Sequence, residues 1–393
     1  MEYTNAEIRE MAIDKVCSVN NEDCLEVFNQ YFSYLNNVDF IYVDLQRGSD
    51  IISSVINMFD IKKGEVSSVF YSNKLMILNT DLFSKKAEGV FLNYDIGLDT
   101  QIVSYIVRYI NGCLDDVNIP VVLPLRINRT IASEINIDAY VSENCIISKE
   151  FDFKNRISIW SVFYFLNTPM MSEEEAKINA DDSTNQIIQF VKYARMANVY
   201  KERYDYIYCM LLKIVLLNFE KSKIREKLIE LLRFQNEVTC TSDMGFVNIG
   251  LAYWEQGTKL RFFGKVQKGK KNILNILRNM AWDIFHWMQT ALNFKVDPQK
   301  SACINIPMFY SVDSRFLELS KIIKLKAVAV DKNTNVTYPK FEFNRLDEFL
   351  SFEEQKVHLG AEALRKRNEN RGYVDTEKIY KELEIELINK GIF

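Results

Sequence analysis

The stretch GVFLNYDIGLDTQIVSYIVRYING, running from Gly89 to Gly112, sets the fold class. Its first half is a β-rich apolar run. Its second half places Ile102, Tyr105, Ile106 and Tyr109 at helical spacing. The period changes from two to 3.6 at Asp99-Thr100, so the segment predicts a strand running into a helix with an acid at the turn. Asp99 there reads either as a helix N-cap, satisfying free N–H groups, or as a ligand-facing acid at a strand end. A matching unit lies two hundred residues on: CINIPMFYSVD (Cys303–Asp313) predicts a strand ending in Asp313, SRFLELSKIIK from Ser314 a helix, and LKAVAVD from Leu325 a final strand.

Outward from these two units, the first eighty-odd residues mix a helical opening with strand-like pieces at Asp39-FIYVDL and in Val66-SSVFYSNKLMILNT, the latter two separated by Ser-Asn. Residues from about 152 to 246 are mostly helical in pattern, with Ser172-EEEAKINADDS as a polar helix start or loop and one or two long helices from Tyr204 to Arg233. The tail from Asp347 is charged and helical. Strands at both ends with helices between predict an α/β fold in which one sheet carries helices on its faces and is interrupted by a long helical insertion. The expected divisions are an N-terminal extension over 1–85, a central domain over 86–340 with its insertion at about 152–246, and a tail over 341–393.

Composition narrows the chemistry. The 393 residues carry 49 Lys plus Arg against 53 Asp plus Glu, a net charge of −4, which disfavours a globally cationic nucleic-acid coat but leaves room for a local basic groove. With 13 Gly and 6 Pro, collagen-like and linker readings fall away. Only two histidines, His286 and His358, are present, so His-rich zinc sites and a Ser–His triad are poor fits. Seven widely spaced cysteines without a C-x-x-C read as buried thiols in a reducing compartment. The N-terminus has no apolar signal region, and the apolar run from Tyr206 to Glu220 contains Lys213 and is short for a bilayer span, so the expectation is a cytoplasmic protein with no membrane partner. No G-x-x-x-x-G-K-[ST] occurs, which removes a nucleotide-triphosphate loop.

Carboxylates are left to carry any reaction. Asp99 and Asp313 each end a strand and open a helix. Asp283 sits in the apolar helix NMAWDIFHW with Asn279 one turn earlier, where a lone charge is costly unless paired or bound to a cation. Glu143 follows the first strand–helix unit. Such acids converging on one point repel one another, and Mg²⁺ or Mn²⁺ relieves the repulsion while screening phosphate charge and activating water.

The sequence resembles the PIN-like nuclease superfamily. An apolar strand ending in Asp-Thr matches at LNYDIGLDT, with Asp99 and Thr100. An Asp in a helix preceded by Asn matches at NMAWD, with Asn279 and Asp283. A strand ending S-x-D matches at YSVD, with Ser311 and Asp313. Glu143 stands where the intermediate acid belongs, with Glu134 and Glu150 close enough to compete, and the distance from Glu143 to Asp283 requires a helical insertion. The resemblance implies a three-layer α/β/α (Rossmannoid) domain. In it, Asp99, Glu143, Asp283 and Asp313 would hold Mg²⁺ or Mn²⁺ and cleave RNA, or less often DNA, through a metal-bound water. Thr100, Asn279 and Ser311 would orient those acids. It further implies a stand-alone bacterial nuclease in a toxin or anti-phage role, with an antitoxin or regulatory protein as partner and a homo-oligomer left open. The rival is a non-catalytic PIN-like scaffold or binding protein.

Two further features have both a functional and a plain structural reading. Lys259, Arg261, Lys265, Lys268, Lys270 and Lys271 could track a phosphate backbone while Phe262 or Phe263 stacks a base, or form a solvated loop anchored by those two rings. His286 reads as a proton shuttle beside Asp283 or as a core histidine, and Arg365-KRNENR as an RNA-contacting arm or simply as surface.

Overall fold

The computed structural model describes residues 5–19, 23–43, 66–68, 75–78, 91–127, 133–147, 152–296, 303–334, 336–342 and 345–392. Ser72, Asn73 and Glu150 lie outside them. The chain is mixed α/β and divides into two compact units. The first comprises Met1–Lys192, Trp287–Asp313 and Lys324–Phe341; the second comprises Tyr193–His286, Ser314–Ile323 and Glu342–Phe393.

All nine described strands belong to the first unit: β1 (Val38–Val43), β2 (Val66–Ser68), β3 (Leu75–Leu78), β4 (Phe91–Leu98), β5 (Ser133–Asn136), β6 (Lys295–Val296), β7 (Cys303–Tyr310), β8 (Leu325–Asp331) and β9 (Val336–Phe341). They form two sheets where the sequence pattern predicted one. The first is antiparallel, in the order β3-β1-β8-β9. Helices α1 (Asn5–Ser18) and α2 (Cys24–Gln30) cover one of its faces, where Ala12, Val16 and Phe28 pack with Phe40, Tyr42 and Ala329. Alternation explains this layer, since Val38, Phe40 and Tyr42 share one face of β1. Arg9 closes its edge with a two-pronged pair to Asp331, Nε and Nη2 each 2.9 Å from a carboxylate oxygen. The strand β9 gives no alternating apolar signal, because it is an edge strand with a mostly half-exposed face.

The second sheet runs β2-β7-β4-β5, with β6 pairing β7. Here β4 is parallel to both β7 and β5. The residues Ile96, Leu98, Ile306, Met308 and Phe309 are all buried, as expected where parallel strands are covered on both faces. The crossover from β4 to β5 contains α3 (Thr100–Ile110) and α4 (Ile119–Ile127). The helix α3 buries Ile102, Val103 and Ile106, and Tyr109 meets Phe165 edge-on at 5.5 Å between ring centres. After β5 come the short α5 (Asp138–Val141) with a π-helical turn over Ser142–Ile147, then α6 (Phe153–Asn167) and α7 (Glu173–Ala197).

The second unit is helical: α8 (Val199–Phe219), α9 (Ile224–Glu237), α10 (Met244–Gln256), most of α11 (Ile273–Leu292), α12 (Ser314–Ile322), α13 (Phe352–Leu359), α14 (Ala361–Asn370) and α15 (Thr376–Asn389). The apolar run from Tyr206 forms the interior of α8, buried from Ile207 through Leu212. Against it lies α15, tied by Tyr208 Oη to Glu384 at 2.7 Å and by Lys201, which bonds Asp205 at 2.6 Å and Glu377 at 2.8 Å. No described helix is long and apolar enough to cross a membrane.

Candidate functional site

Side by side at the carboxyl edge of the second sheet, the two Asp-ended strands are parallel neighbours. The pairing runs in register from Phe91 opposite Cys303 to Leu98 opposite Tyr310. The ladder continues one step, as Asp99 N–H donates to the Tyr310 carbonyl at 3.0 Å. That step places Asp99 beside Ser311. The fully buried Ser311 hydroxyl donates to Asp99 Oδ2 at 2.5 Å, and its oxygen accepts from the Asp313 N–H at 3.1 Å. Residues 212 apart in sequence are thereby joined through one hydroxyl, at the edge where open α/β sheets bind ligands.

The next residue repeats the arrangement. Thr100 Oγ1 donates to Glu143 Oε2 at 2.8 Å. Glu143 enters through the π-helical turn that widens the chain after α5, a local geometry often found at functional positions. Of the competing acids, Glu134 is exposed on β5. Asp99, Glu143 and Asp313 are themselves half-buried. Consecutive residues Asp99 and Thr100 therefore hold one acid–hydroxyl pair with β7 and another with the 142–147 turn.

Asp99 occupies the N-cap position of α3, yet its side chain makes no capping hydrogen bond. At four other helix starts the cap is used, whereas Asp23 before α2 and Asn198 before α8 leave it unused as Asp99 does. Asp152, Asp243, Ser351 and Asp375 each accept from a backbone N–H two or three residues on. The local sequence permits the same at Asp99, but Ser311 holds the carboxylate.

Sequence reasoning missed a polar row beneath this edge. The buried Asp95 accepts from Asn136 Nδ2 at 2.5 Å, and Asn136 Oδ1 accepts from the Asp138 N–H at 3.1 Å. Asp138 Oδ2 in turn accepts from Asn293 Nδ2 at 2.9 Å. The signal was the D-x-G-x-D of Asp95, Gly97 and Asp99, which at strand period two puts both acids on one face. The residue between them has ordinary contact room. A Cβ at Gly97 would stand 3.4 Å from Asn136 Oδ1 and 3.5 Å from the Met308 carbonyl.

The remaining expected residues belong to the second unit. Asp283 is half-buried on α11, with Asn279 exposed one turn earlier. His286 is buried, its ring stacked on Trp282 at 5.5 Å. Lys259, Arg261, Lys265 and Lys268 are exposed. Phe263 corrects the base-stacking expectation. It is fully buried and stacks on Tyr253 at 3.8 Å with Phe262 edge-on, so both rings anchor the segment and neither presents a face to a base. Among the described residues, no group of three or more His, Cys, Asp or Glu side chains stands ready to hold a metal ion. Comparison with known protein families, with curated proteins and with solved structures finds no match.

Proposed function

We propose that the chain is a divalent-metal-dependent nuclease whose β2-β7-β4-β5 sheet is the core of a PIN-like three-layer domain. RNA is the first substrate class and DNA the second. The observation that carries the proposal is the bond of Asp99, which does not cap its own helix, to Ser311 just past the end of the neighbouring parallel strand. A capping acid needs no partner from another strand; an acid oriented for a ligand does.

In this reading the donors are hard carboxylate oxygens, the set that suits Mg²⁺ or Mn²⁺. When bound, such an ion supplies charge screening at the phosphodiester and a more acidic water. The chain's own residues supply the rest. Ser311 fixes Asp99 through Oδ2, its link to the Asp313 amide fixes the start of α12, and Thr100 fixes Glu143 through Oε2. Glu143 serves as a ligand or as the base that takes the proton of the attacking water. Asp283 and Asn279 enter on the sequence motif alone, and Asp283→Asn is the arm that tests them. A toxin or anti-phage role is the setting the resemblance implies.

The test is cleavage of end-labelled RNA and DNA by the purified chain with Mg²⁺ or Mn²⁺. Asp99→Asn and Asp313→Asn are each expected to lower the rate more than about a hundredfold, beyond the usual cost of losing an orienting partner, with melting unchanged. EDTA should silence the wild type. Cleavage at the wild-type rate by either variant would sink the proposal, and a folded chain inert on every nucleic acid would favour the scaffold.

A further inference from the structure

From Gln256 to Trp282 the chain contains no Asp or Glu, although acids outnumber bases over the whole sequence. Five cations of this stretch, Lys259, Arg261, Lys265, Lys268 and Lys271, are exposed, and none makes an ion pair or side-chain hydrogen bond among the described residues. Elsewhere in the second unit many cations are engaged, among them Arg345 with Glu255 and Glu348, Arg365 with Glu362 and Glu369, Lys381 with Glu377, and Lys390 with Glu220 and Glu386. Exposed Lys221, Lys321, Lys356, Arg371 and Lys378 are unpaired as well among the described residues, so the acid-free clustering is what sets this stretch apart.

The segment is also held, unlike a solvated basic tail. Leu260, Phe262, Phe263 and Val266 are buried between the cations and drive alternate residues outward. The Phe262 N–H donates to Glu318 Oε2 at 2.9 Å, which occupies the acid on the adjacent α12, and the Gly269 N–H donates to the Ile392 carbonyl at 2.9 Å. Left-handed backbone at Gly257 (φ 59°) and Gly269 (φ 75°) shapes the turns on either side. Fixed cations without internal counterions attract a polyanion and release its condensed ions on binding.

We infer that residues 259–271 form a platform for the phosphodiester backbone of a nucleic acid, independent of base sequence and of metal. Sequence independence follows from the burial of both phenylalanines, which leaves charge without a stacking face. The platform goes beyond the acidic edge of the first unit and does not require that edge to be catalytic.

The experiment measures anisotropy of a fluorescein-labelled single-stranded RNA titrated with the full chain carrying Asp99→Asn in EDTA, over a salt series. Replacing Lys259, Arg261, Lys265 and Lys268 together by Ala is expected to weaken binding at least about tenfold and to flatten the log–log salt slope by about 3. Arg345→Ala with Lys381→Ala, which removes paired charges, should leave both unchanged. DNA of the same sequence and RNA of a different sequence should bind within about threefold, as backbone recognition demands. Unchanged affinity of the fourfold variant would overturn the inference. So would equal loss in the paired-charge control, a strong base preference, or binding to phosphatidylserine vesicles without binding to RNA. Binding in EDTA combined with no cleavage in Mg²⁺ would retain the platform and remove the nuclease, so the two readings fail separately.

Discussion

Asp99 and Asp243 occupy the same local position, the residue before a helix, and are used in opposite ways. Asp243, in the second unit, accepts from the Gly245 N–H at 2.9 Å and caps α10. Burial pushes its carboxyl up to about 6, a cost that two backbone amides only partly offset. Asp99, in the first unit, caps nothing and is held by a hydroxyl from another strand. The contrast separates a structural acid from an oriented one: the first is satisfied by its own helix, the second by a partner that only the fold brings near.

Substitutions at the two positions sharpen this comparison, and the largest effect is expected at Asp99. Asp99→Asn should remove cleavage while moving the unfolding free energy by less than about 1 kcal/mol, since no cap is lost. Ser311→Ala comes next, with an expected rate loss of about 10- to 100-fold and a stability loss of about 1 kcal/mol, read from single-turnover cleavage and denaturant titration. Equal rates for Ser311→Ala and wild type would break the distinction, because Asp99 would then need no orienting partner.

Asp243→Ala is expected to cost about 1 kcal/mol of stability with cleavage untouched. The smallest effect is in the pH profile. The Asp243 carboxyl lies above its ordinary value in the folded chain, so the folded state binds more protons than the unfolded one between about 4 and about 6. Its contribution to stability is therefore greatest at low pH and is lost as pH rises through 6. Asp243→Asn, which keeps the cap and removes the buried charge, should flatten that decline in melts from pH 4 to 8. A decline as steep as wild type would mean that other groups set it.

Much of the secondary structure was legible. The strand-to-helix switch at Asp99-Thr100, the strand before Asp313 and the buried helix from Tyr206 follow from apolar periodicity, which local sterics and burial impose directly. Two sheets instead of one were not legible. Periodicity marks which residues face a core but carries nothing on which strand pairs with which, and β1 finds β8 across nearly three hundred residues. Phe262 and Phe263 were ambiguous for a similar reason, since an aromatic among lysines looks the same from sequence whether it faces Tyr253 or solvent. Asp95 was visible in the D-x-G-x-D pattern, and only its bond to Asn136 on β5 gave that pattern a use.

By itself, the sequence determined that strands run up to Asp99 and Asp313 and that positive charge collects between Lys259 and Lys271, because composition and short-range period are properties of neighbouring residues. The tertiary structure decided that β4 and β7 lie parallel and in register, so that Ser311 reaches Asp99, and that Thr100 meets Glu143. Those contacts join residues distant along the chain, and a hydroxyl within bonding distance of a carboxylate is a fact about three-dimensional packing that no local pattern encodes.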